Sequence, residues 1–348
     1  MSNHKVPFST PATIYDVARE AGVSDATVSR VFNNKHNVKA DTRERVLQAA
    51  EKLGYVVNVQ ARSLAGGKSN TIGLLVPGLD NGYIGEIIRG IDQELAHADH
   101  ELMLYTTHRK GKNESAYLQY VANGFVDGLL LVVPLLSPTF LETLGALNYA
   151  YVLIDEVDPS GKSFSVDATN WQGAYDATNY LIKLGHQNIG FITGMHELNS
   201  TKERLNGYLA ALRDNDVPVR QDLIVDGDFL QETGFEQSLR LLDLEPRPTA
   251  IFAANDMMAL GALDAIRERG LHIPQDISVI GFDDIPQAST THPKLTTIRQ
   301  PLEQMGRVGV QLLLEQLKHP ERPPKRVTLP THLVVRDSCQ PVNDVGGI

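Results

Sequence analysis

The chain has 348 residues, 42% of them hydrophobic and 21% charged, which suits two or three domains around a sizeable core. Cys339 is the only cysteine, so an intramolecular disulfide is excluded and a reducing compartment fits. The sequence shows neither an apolar signal segment nor an apolar run of membrane-spanning length, so a cytoplasmic protein without membrane attachment is expected. The formal charge of -10 is uneven: residues 1–68 hold ten Lys or Arg against six Asp or Glu, which leaves -14 on the rest. A small basic head on a large acidic body points to a polyanion binder joined to a domain that does not touch polyanions.

Residues 1–11 are polar, with two prolines, and read as an unstructured lead-in. Thr13, with Asp16 three residues on, is an acidic variant of the capping box that opens a helix. Val17, Ala18 and Ala21 fall on its inner face, and Gly22 ends it. Ser24 then caps a second helix that turns Val28, Val31 and Phe32 inward and Asp25, Ala26, Ser29 and Arg30 outward. Two short helices, a glycine turn and an exposed face of small polar residues form a helix-turn-helix. Asp41 to Lys52 reads as a third helix, with Val46, Leu47 and Ala50 inward and Gly54 near its end. Residues 58–65, NVQARSLA, carry helix formers but are too short to hold a helix alone, and Gly66 to Asn70 is a linker by composition. Leu64 is there an apolar side chain with no core to join.

From Thr71 short apolar runs alternate with longer helical stretches. Strands are expected at 72–76, 102–106, 129–133, 151–154, 164–166, 189–193, 223–225, 250–253 and 277–280. The intervening helices include 84–98, 114–123, 138–147, 172–184, 203–213, 232–242 and 257–269. That alternation gives parallel sheets with right-handed crossovers, and two runs of such units give two lobes. Ligands of such sheets bind beyond the carboxyl ends of the strands. There lie Asp80 and Asn81, Asp155, Asn255 and Asp256, and Asp283 and Asp284, each residue also suited simply to capping the next helix. Their convergence on one cleft suits a polar ligand with many hydroxyls.

Catalytic signatures are missing from the sequence. There is no phosphate-binding loop, dinucleotide fingerprint or nucleophile elbow, and the eleven histidines lack zinc-site spacing. Asp283 and Asp284 are adjacent and point apart, which is poor geometry for an acid/base pair. Binding without turnover, and without cofactor or metal, is the expectation.

These residues resemble the LacI/GalR family of bacterial transcription regulators. The resemblance is carried by Thr13 to Asn33, Asp41 to Tyr55 and NVQARSLA in the head. In the body it is carried by IGLLVP (72–77), FVDGLLL (125–131), LGHQNIGFITG (184–194), ERLNGY (203–208), FAANDMMALGAL (252–263), DISVIGFDD (276–284) and LTTIRQP (295–301). It implies a small all-α helix-turn-helix head on an α/β two-lobed effector domain with parallel sheets, of the type I periplasmic-binding-protein kind, whose lobes are joined by three crossovers. The implied division is a DNA-binding domain at 1–57, a hinge helix and linker at 58–70, and an effector-binding and dimerisation domain at 71–348. One lobe would comprise 71–166 with 296–328, the other 167–295 with 329–348.

Carried over by position, the resemblance assigns Asp25, Ala26 and Arg30 to base reading. Arg30 suits guanine, and Ala26 suits a thymine methyl. Thr13, Ser24, Thr27, Ser29 and Asn33 match phosphate or groove-edge positions, as Asn37 and Tyr55 do more weakly. In the hinge, Asn58 caps, Ala61 permits close approach of two hinge helices, and Leu64 wedges the minor groove. Arg204, Asn255 and Asp283 match positions that hold effector in sugar-responsive members, with Asp155, Phe229 and Gln300 behind them. Asp80, Asn81 and Tyr83 would supply selectivity. Lys39 stands where many relatives place a capping Ser or Thr. The chain ends without the leucine heptad that makes tetramers of the lac repressor, so a homodimer is implied. The implied partners are operator DNA and a sugar effector. A transport-system sugar-binding protein would share the body but needs a signal peptide and no helix-turn-helix, and an α/β hydrolase or kinase would need a nucleophile or phosphate loop.

Overall fold

The computed structural model describes residues 12–32, 38–55, 69–79, 82–107, 125–134 and 138–342. The expected helix at 114–123 lies outside them, as do Asn33, Asn37, Asn58, Ala61, Leu64, Asp80 and Asn81.

The head is three helices, α1 (Ile14–Ala21), α2 (Asp25–Phe32) and α3 (Ala40–Lys52). Val17, Val28 and Val46 are wholly buried at their meeting point, joined by Ala18, Ala21, Val31, Ala49 and Ala50. So small a core gains from pins between helices. Arg43 donates to the Val31 carbonyl at 3.1 Å, and Lys52 pairs with Glu20 at 2.5 Å. Leu47 departs from the expectation. It is 48% exposed, because Ala49 takes the inward position on α3. Lys39 precedes α3 without a side-chain cap.

The body contains two six-stranded sheets. In chain order the first sheet has β1 (Thr71–Val76), β2 (Glu101–Thr106), β3 (Gly128–Val132), β4 (Tyr151–Ile154), β5 (Phe164–Ala168) and β11 (Arg326–Leu329). The second has β6 (Ile189–Ile192), β7 (Ile224–Val225), β8 (Ala250–Ala253), β9 (Ser278–Asp283), β10 (Thr296–Arg299) and β12 (His332–Val334). Their spatial orders, β11-β5-β4-β3-β1-β2 and β12-β10-β9-β8-β6-β7, are the same pattern twice. Among the described residues every pairing is parallel except β10 with β12. β1, β3 and β4 are buried along their whole lengths, as strands covered on both faces must be, which explains why they read as unbroken apolar runs.

The helices are α4 (Gly82–His97), α5 (Pro138–Ala146), α6 (Asn170–Lys183), α7 (Asn199–Asp214), α8 (Gln231–Leu242), α9 (Asp256–Glu268) and α10 (Leu302–Lys318). The chain changes lobes three times: between β5 and α6, between β10 and α10, and between β11 and β12. The lobe boundary expected at 295/296 moves accordingly. Thr296–Arg299 pairs with β9, Ile298 opposite Phe282, so it belongs to the second sheet and the crossing falls at Gln300-Pro301. The connection at 284–295 is long enough for a parallel neighbour. The lobes press together where α4 begins: a Cβ on Gly82 would lie 2.6 Å from the Gln287 side chain and 3.1 Å from Pro286.

Candidate functional site

Two sets of residues carry chemistry, one in the head and one between the lobes. In the head, the Thr13 backbone donates to Asp16 Oδ2 at 2.9 Å, and Asp16 N donates back to Thr13 Oγ1 at 3.4 Å, a reciprocal capping box. The Thr13 hydrogen bonds and Arg19 hold the Asp16 carboxyl below its ordinary range. Gly22 takes φ +63°, the left-handed conformation that lets α1 stop and α2 start at once. Ser24 Oγ accepts from Thr27 N at 3.2 Å and lies 2.9 Å from Thr27 Oγ1. With Val28 and Val31 buried beneath, α2 presents Asp25, Ala26 and Arg30 to solvent as one face, with Thr27 and Ser29 half-buried at its edge. Tyr15 on α1 is 68% exposed, a large aromatic outside the head's core that the sequence reading did not single out. A small surface of one guanidinium, short hydroxyls and a methyl is chemistry suited to base edges and phosphate oxygens, while the Asp25 carboxylate on the same face suits only a base donor such as cytosine N4.

Between the lobes, buried polar side chains meet from opposite sides. Tyr83, at the start of α4, donates to Asp155 Oδ2 at 2.5 Å, and Asp155 follows β4. From the second lobe comes Arg204 of α7, only 2% exposed. Its Nε donates to Asn170 Oδ1 at 2.8 Å and its Nη1 to the Ala254 carbonyl at 2.5 Å. Its guanidinium carbon lies 3.8 Å above the Phe282 ring centre and 5.9 Å from that of Phe229, so the buried cation rests on aromatic faces. Asp283 Oδ1 is 3.8 Å from Arg204 Nη1 and accepts from Gln300 Nε2 at 2.8 Å. Asn255 caps α9 through Met258 N at 2.9 Å and donates to the Phe229 carbonyl at 3.1 Å.

Three of these residues sit at positive φ: Asp155 at 57°, Phe229 at 68° and Asp283 at 121°. Such backbone costs about 1–3 kcal/mol per residue, and here the chain must turn abruptly at strand ends to aim side chains into the cleft. Tyr83, Arg204, Phe229, Asn255 and Asp283, with Pro77 and Met195, line a cavity of about 60 Å³. Pockets for small ligands usually hold roughly 300–1000 Å³, so the chain's own side chains largely fill this one. A wider trough of about 1660 Å³ shares Met195 and Leu198 with it but is open, and its rim mixes Glu142, Lys162, Glu321 and Arg322 without a buried convergence. The buried knot is therefore the stronger site.

Burial dominates its electrostatics. It lifts Asp283 to about 7 against the opposing pull of Arg204 and Gln300, with the Asp155 charge adding to the rise. Burial also raises Asp155, although Arg204 and the Tyr83 hydroxyl act the other way. Behind them Asp256 accepts from Thr297 Oγ1 at 2.5 Å and from Ile285 N at 2.9 Å. Its carboxyl is pushed well up, because burial and Asp283 outweigh those hydrogen bonds.

The fold thus brings together seven of the nine residues expected in the cleft: Tyr83, Asp155, Arg204, Phe229, Asn255, Asp283 and Gln300. The other two, Asp80 and Asn81, lie outside the described residues. Sequence reading missed Asn170 and Phe282. Asn170 opens a helix and looks like any capping residue, and Phe282 reads as ordinary strand core.

Comparison with known proteins agrees with both halves. Residues 13–58 match the model of bacterial regulatory proteins of the lacI family, and residues 178–339 match that of the periplasmic binding protein-like domain. The chain is 36% identical over 330 residues to catabolite control protein A of Priestia megaterium, covering 94% of this chain and 99% of that protein. It superimposes on the lac repressor dimer bound to operator and the anti-inducer ONPF with TM-score 0.82 at 33% identity, covering 95% of this chain and 100% of the other. A complex of the regulator CelR with cellobiose matches with TM-score 0.74 at 33% identity, covering 94% and 99%. Two matched domains in this order, together with near full-length likeness, place the chain in the LacI family, as a DNA-binding transcriptional repressor with an effector-binding domain.

Proposed function

We propose that this chain is a cytoplasmic repressor of carbohydrate-utilisation genes that holds a palindromic operator as a homodimer and leaves it when a mono- or oligosaccharide enters the interlobe cleft. The observation that carries the reading is the buried polar knot. Tyr83 and Asp155 come from one lobe, and Arg204, Asn255 and Asp283 from the other, so a ligand among them would touch both lobes at once. Its acceptors, amide and aromatic faces are what hydroxyls and a sugar ring require. The cellobiose complex of a structural relative and the operator complex of another lend support. The domain division at 1–57, 58–70 and 71–348 belongs to the same proposal.

At the DNA, Asp25, Ala26 and Arg30 read bases, while Thr13, Ser24, Thr27, Ser29 and Asn33 set register on the backbone. The hinge, with Asn58, Ala61 and Leu64, folds only between operator and partner subunit, and Leu64 opens the central base step. Because the cavity is nearly filled, effector entry must displace Tyr83 or Phe229 or shift one lobe against the other.

Selection from a randomised operator library tests the DNA half: wild-type protein should return a palindrome, and Arg30→Ala should relax one base position per half-site. An unchanged motif would overturn the role of Arg30. Leu64→Ala should weaken specific binding and DNA bending while sparing nonspecific affinity, read by gel shift on permuted fragments.

A further inference from the structure

We propose that the cleft selects its effector by charge: it takes a neutral, hydroxyl-rich ligand and rejects acidic counterparts of similar size, such as uronates and sugar phosphates. The inference rests on reading the cleft as the effector site and adds to that reading the class of ligand it takes.

Among the described residues Arg204 is the one Lys or Arg that is buried. It is 2% exposed, and two of its three nitrogens, Nε and Nη1, already have partners. Nε serves Asn170, Nη1 serves the Ala254 carbonyl and faces Asp283, and Phe282 covers the ring-facing side. Tight capture of a carboxylate or phosphate by arginine uses two parallel N–H groups as a fork. With Nε and Nη1 both engaged, no complete fork remains for an incoming anion.

The neighbours are mostly acids. Asp155 and Asp283 lie in the site, Asp256 lies behind Asp283, and Glu156 and Glu203 stand near enough to Asp155 to interact with its charge. Lys202, the nearby ammonium, acts on Glu156. Arg204 faces Asp283 and Arg326 lies 3.9 Å from Glu203, yet acids still outnumber cations around the site, so a further negative group would meet net like charge in a poorly solvated space.

What the site does offer is acceptors. Asp155 Oδ1 and Gln300 Oε1 have no hydrogen-bond partner among the described residues, and their side chains are 5% and 3% exposed by residue. Buried acceptors left unpaired are costly, and although neither residue lines the small cavity as it stands, a ligand O–H that reached them on entry would satisfy each. A neutral polyol supplies such donors in number, whereas each carboxylate or phosphate oxygen replaces a donor with another acceptor. The elevated carboxyls of Asp155 and Asp283 point the same way: the site already strains to hold the negative charge it has.

Isothermal titration of the full chain with matched probes tests this. The set is glucose, galactose, ribose and cellobiose against glucuronate, galacturonate, ribose 5-phosphate and cellobionate. The expected result is that at least one neutral sugar binds about tenfold or more tightly than its acidic counterpart, the scale of one uncompensated charge. Asp155→Asn, checked for operator binding and melting temperature, should narrow that ratio by removing one acid while leaving an acceptor for Tyr83. An acidic member binding as tightly as its neutral partner overturns charge selection and leaves the sugar-effector reading standing. Silence from every sugar, with operator binding intact, overturns the sugar-effector reading and this inference with it. The wild-type comparison decides the matter by itself should the variant not fold.

Discussion

At the scale of the residue, Asp283 shows what a buried carboxyl at a strand end costs in stability. Its carboxyl is buried, takes φ 121°, and titrates near 7 in place of the ordinary 3.8. A carboxyl that keeps its proton longer in the folded chain favours folding at low pH. That contribution is complete below about pH 4 and is lost as pH rises toward 7. Above 7 the folded protein therefore carries a buried charge that the unfolded chain solvates freely. Asp283→Asn removes the charge and keeps a side chain that tolerates positive φ. Its melting temperature should exceed that of wild type by a few degrees at pH 8, and the gap should close near pH 4.5. Scanning calorimetry at the two pH values checks this. The same variant should lose effector affinity if the proposed role is right.

Tyr83, Arg204, Phe229 and Gln300 were legible only through family resemblance, whereas Asp155, Asn255 and Asp283 stood out as strand-end residues without a decided role. Aspartate and asparagine at strand ends look alike whether they cap a helix or face a ligand, and Asn255 does cap α9. Nothing local in the sequence says that Asn170 accepts from Arg204 across 34 positions, or that Phe282 lies beneath its guanidinium. Such contacts depend on how separate elements are brought together.

At the scale of the element, periodicity was a good guide wherever burial was complete. Central strands such as β1, β3 and β8 announced themselves, because both faces are covered and every residue must be apolar or small. β10, β11 and β12 did not: they are short, and β11 and β12 are largely exposed at sheet edges. Leu47 misled for a related reason, since an apolar residue in an amphipathic pattern need not lie on the inner face.

Close helix packing is less visible still. In the first lobe α4 crosses α10 so tightly that a Cβ on Gly306 would lie 2.3 Å from the Ile87 carbonyl. Gly306→Ala should cost about 1–3 kcal/mol, since backbone must shift to admit the methyl group. Gly145 in α5 has nothing within 4 Å of the same position. Gly145→Ala should be neutral or stabilising by up to about 1 kcal/mol through helix propensity. Urea unfolding of the pair separates packing from propensity.

His186 makes a second prediction at this scale. Its ring nitrogens lie 3.0 Å from Thr249 Oγ1 and 3.1 Å from the Gln340 carbonyl, so it fastens the segment after β12 to the second lobe. Burial lowers its pKa below the ordinary 6.5. The neutral ring therefore stabilises the fold above that value, and the contribution is lost as pH falls through the lowered one. The protection factor of the Val342 amide, whose N–H donates to the Leu184 carbonyl, should fall on acidification in wild type once intrinsic exchange rates are divided out. His186→Gln should show a weaker dependence on pH.

At the scale of the whole molecule, the body is one topology used twice. Three crossings tie the lobes, and the polar knot lies between them, with Gln300 at one of the crossings. An effector held by both lobes has the means to favour one arrangement of them over another. Coupling to DNA then needs only that operator and effector favour different arrangements, and such coupling is reciprocal: each ligand must weaken the other by the same factor.

That reciprocity gives the most direct test. Effector affinity should be measured by calorimetry on the free full-length chain and on the chain saturated with its selected operator, using whichever neutral sugar binds. Operator affinity should be measured with and without that sugar. Operator should lower sugar affinity by the factor by which sugar lowers operator affinity, a factor of about 5–150 for coupling of ordinary size. Equal sugar affinity in the free and operator-bound protein would contradict it, because the cleft would then be a binding site without a voice in repression.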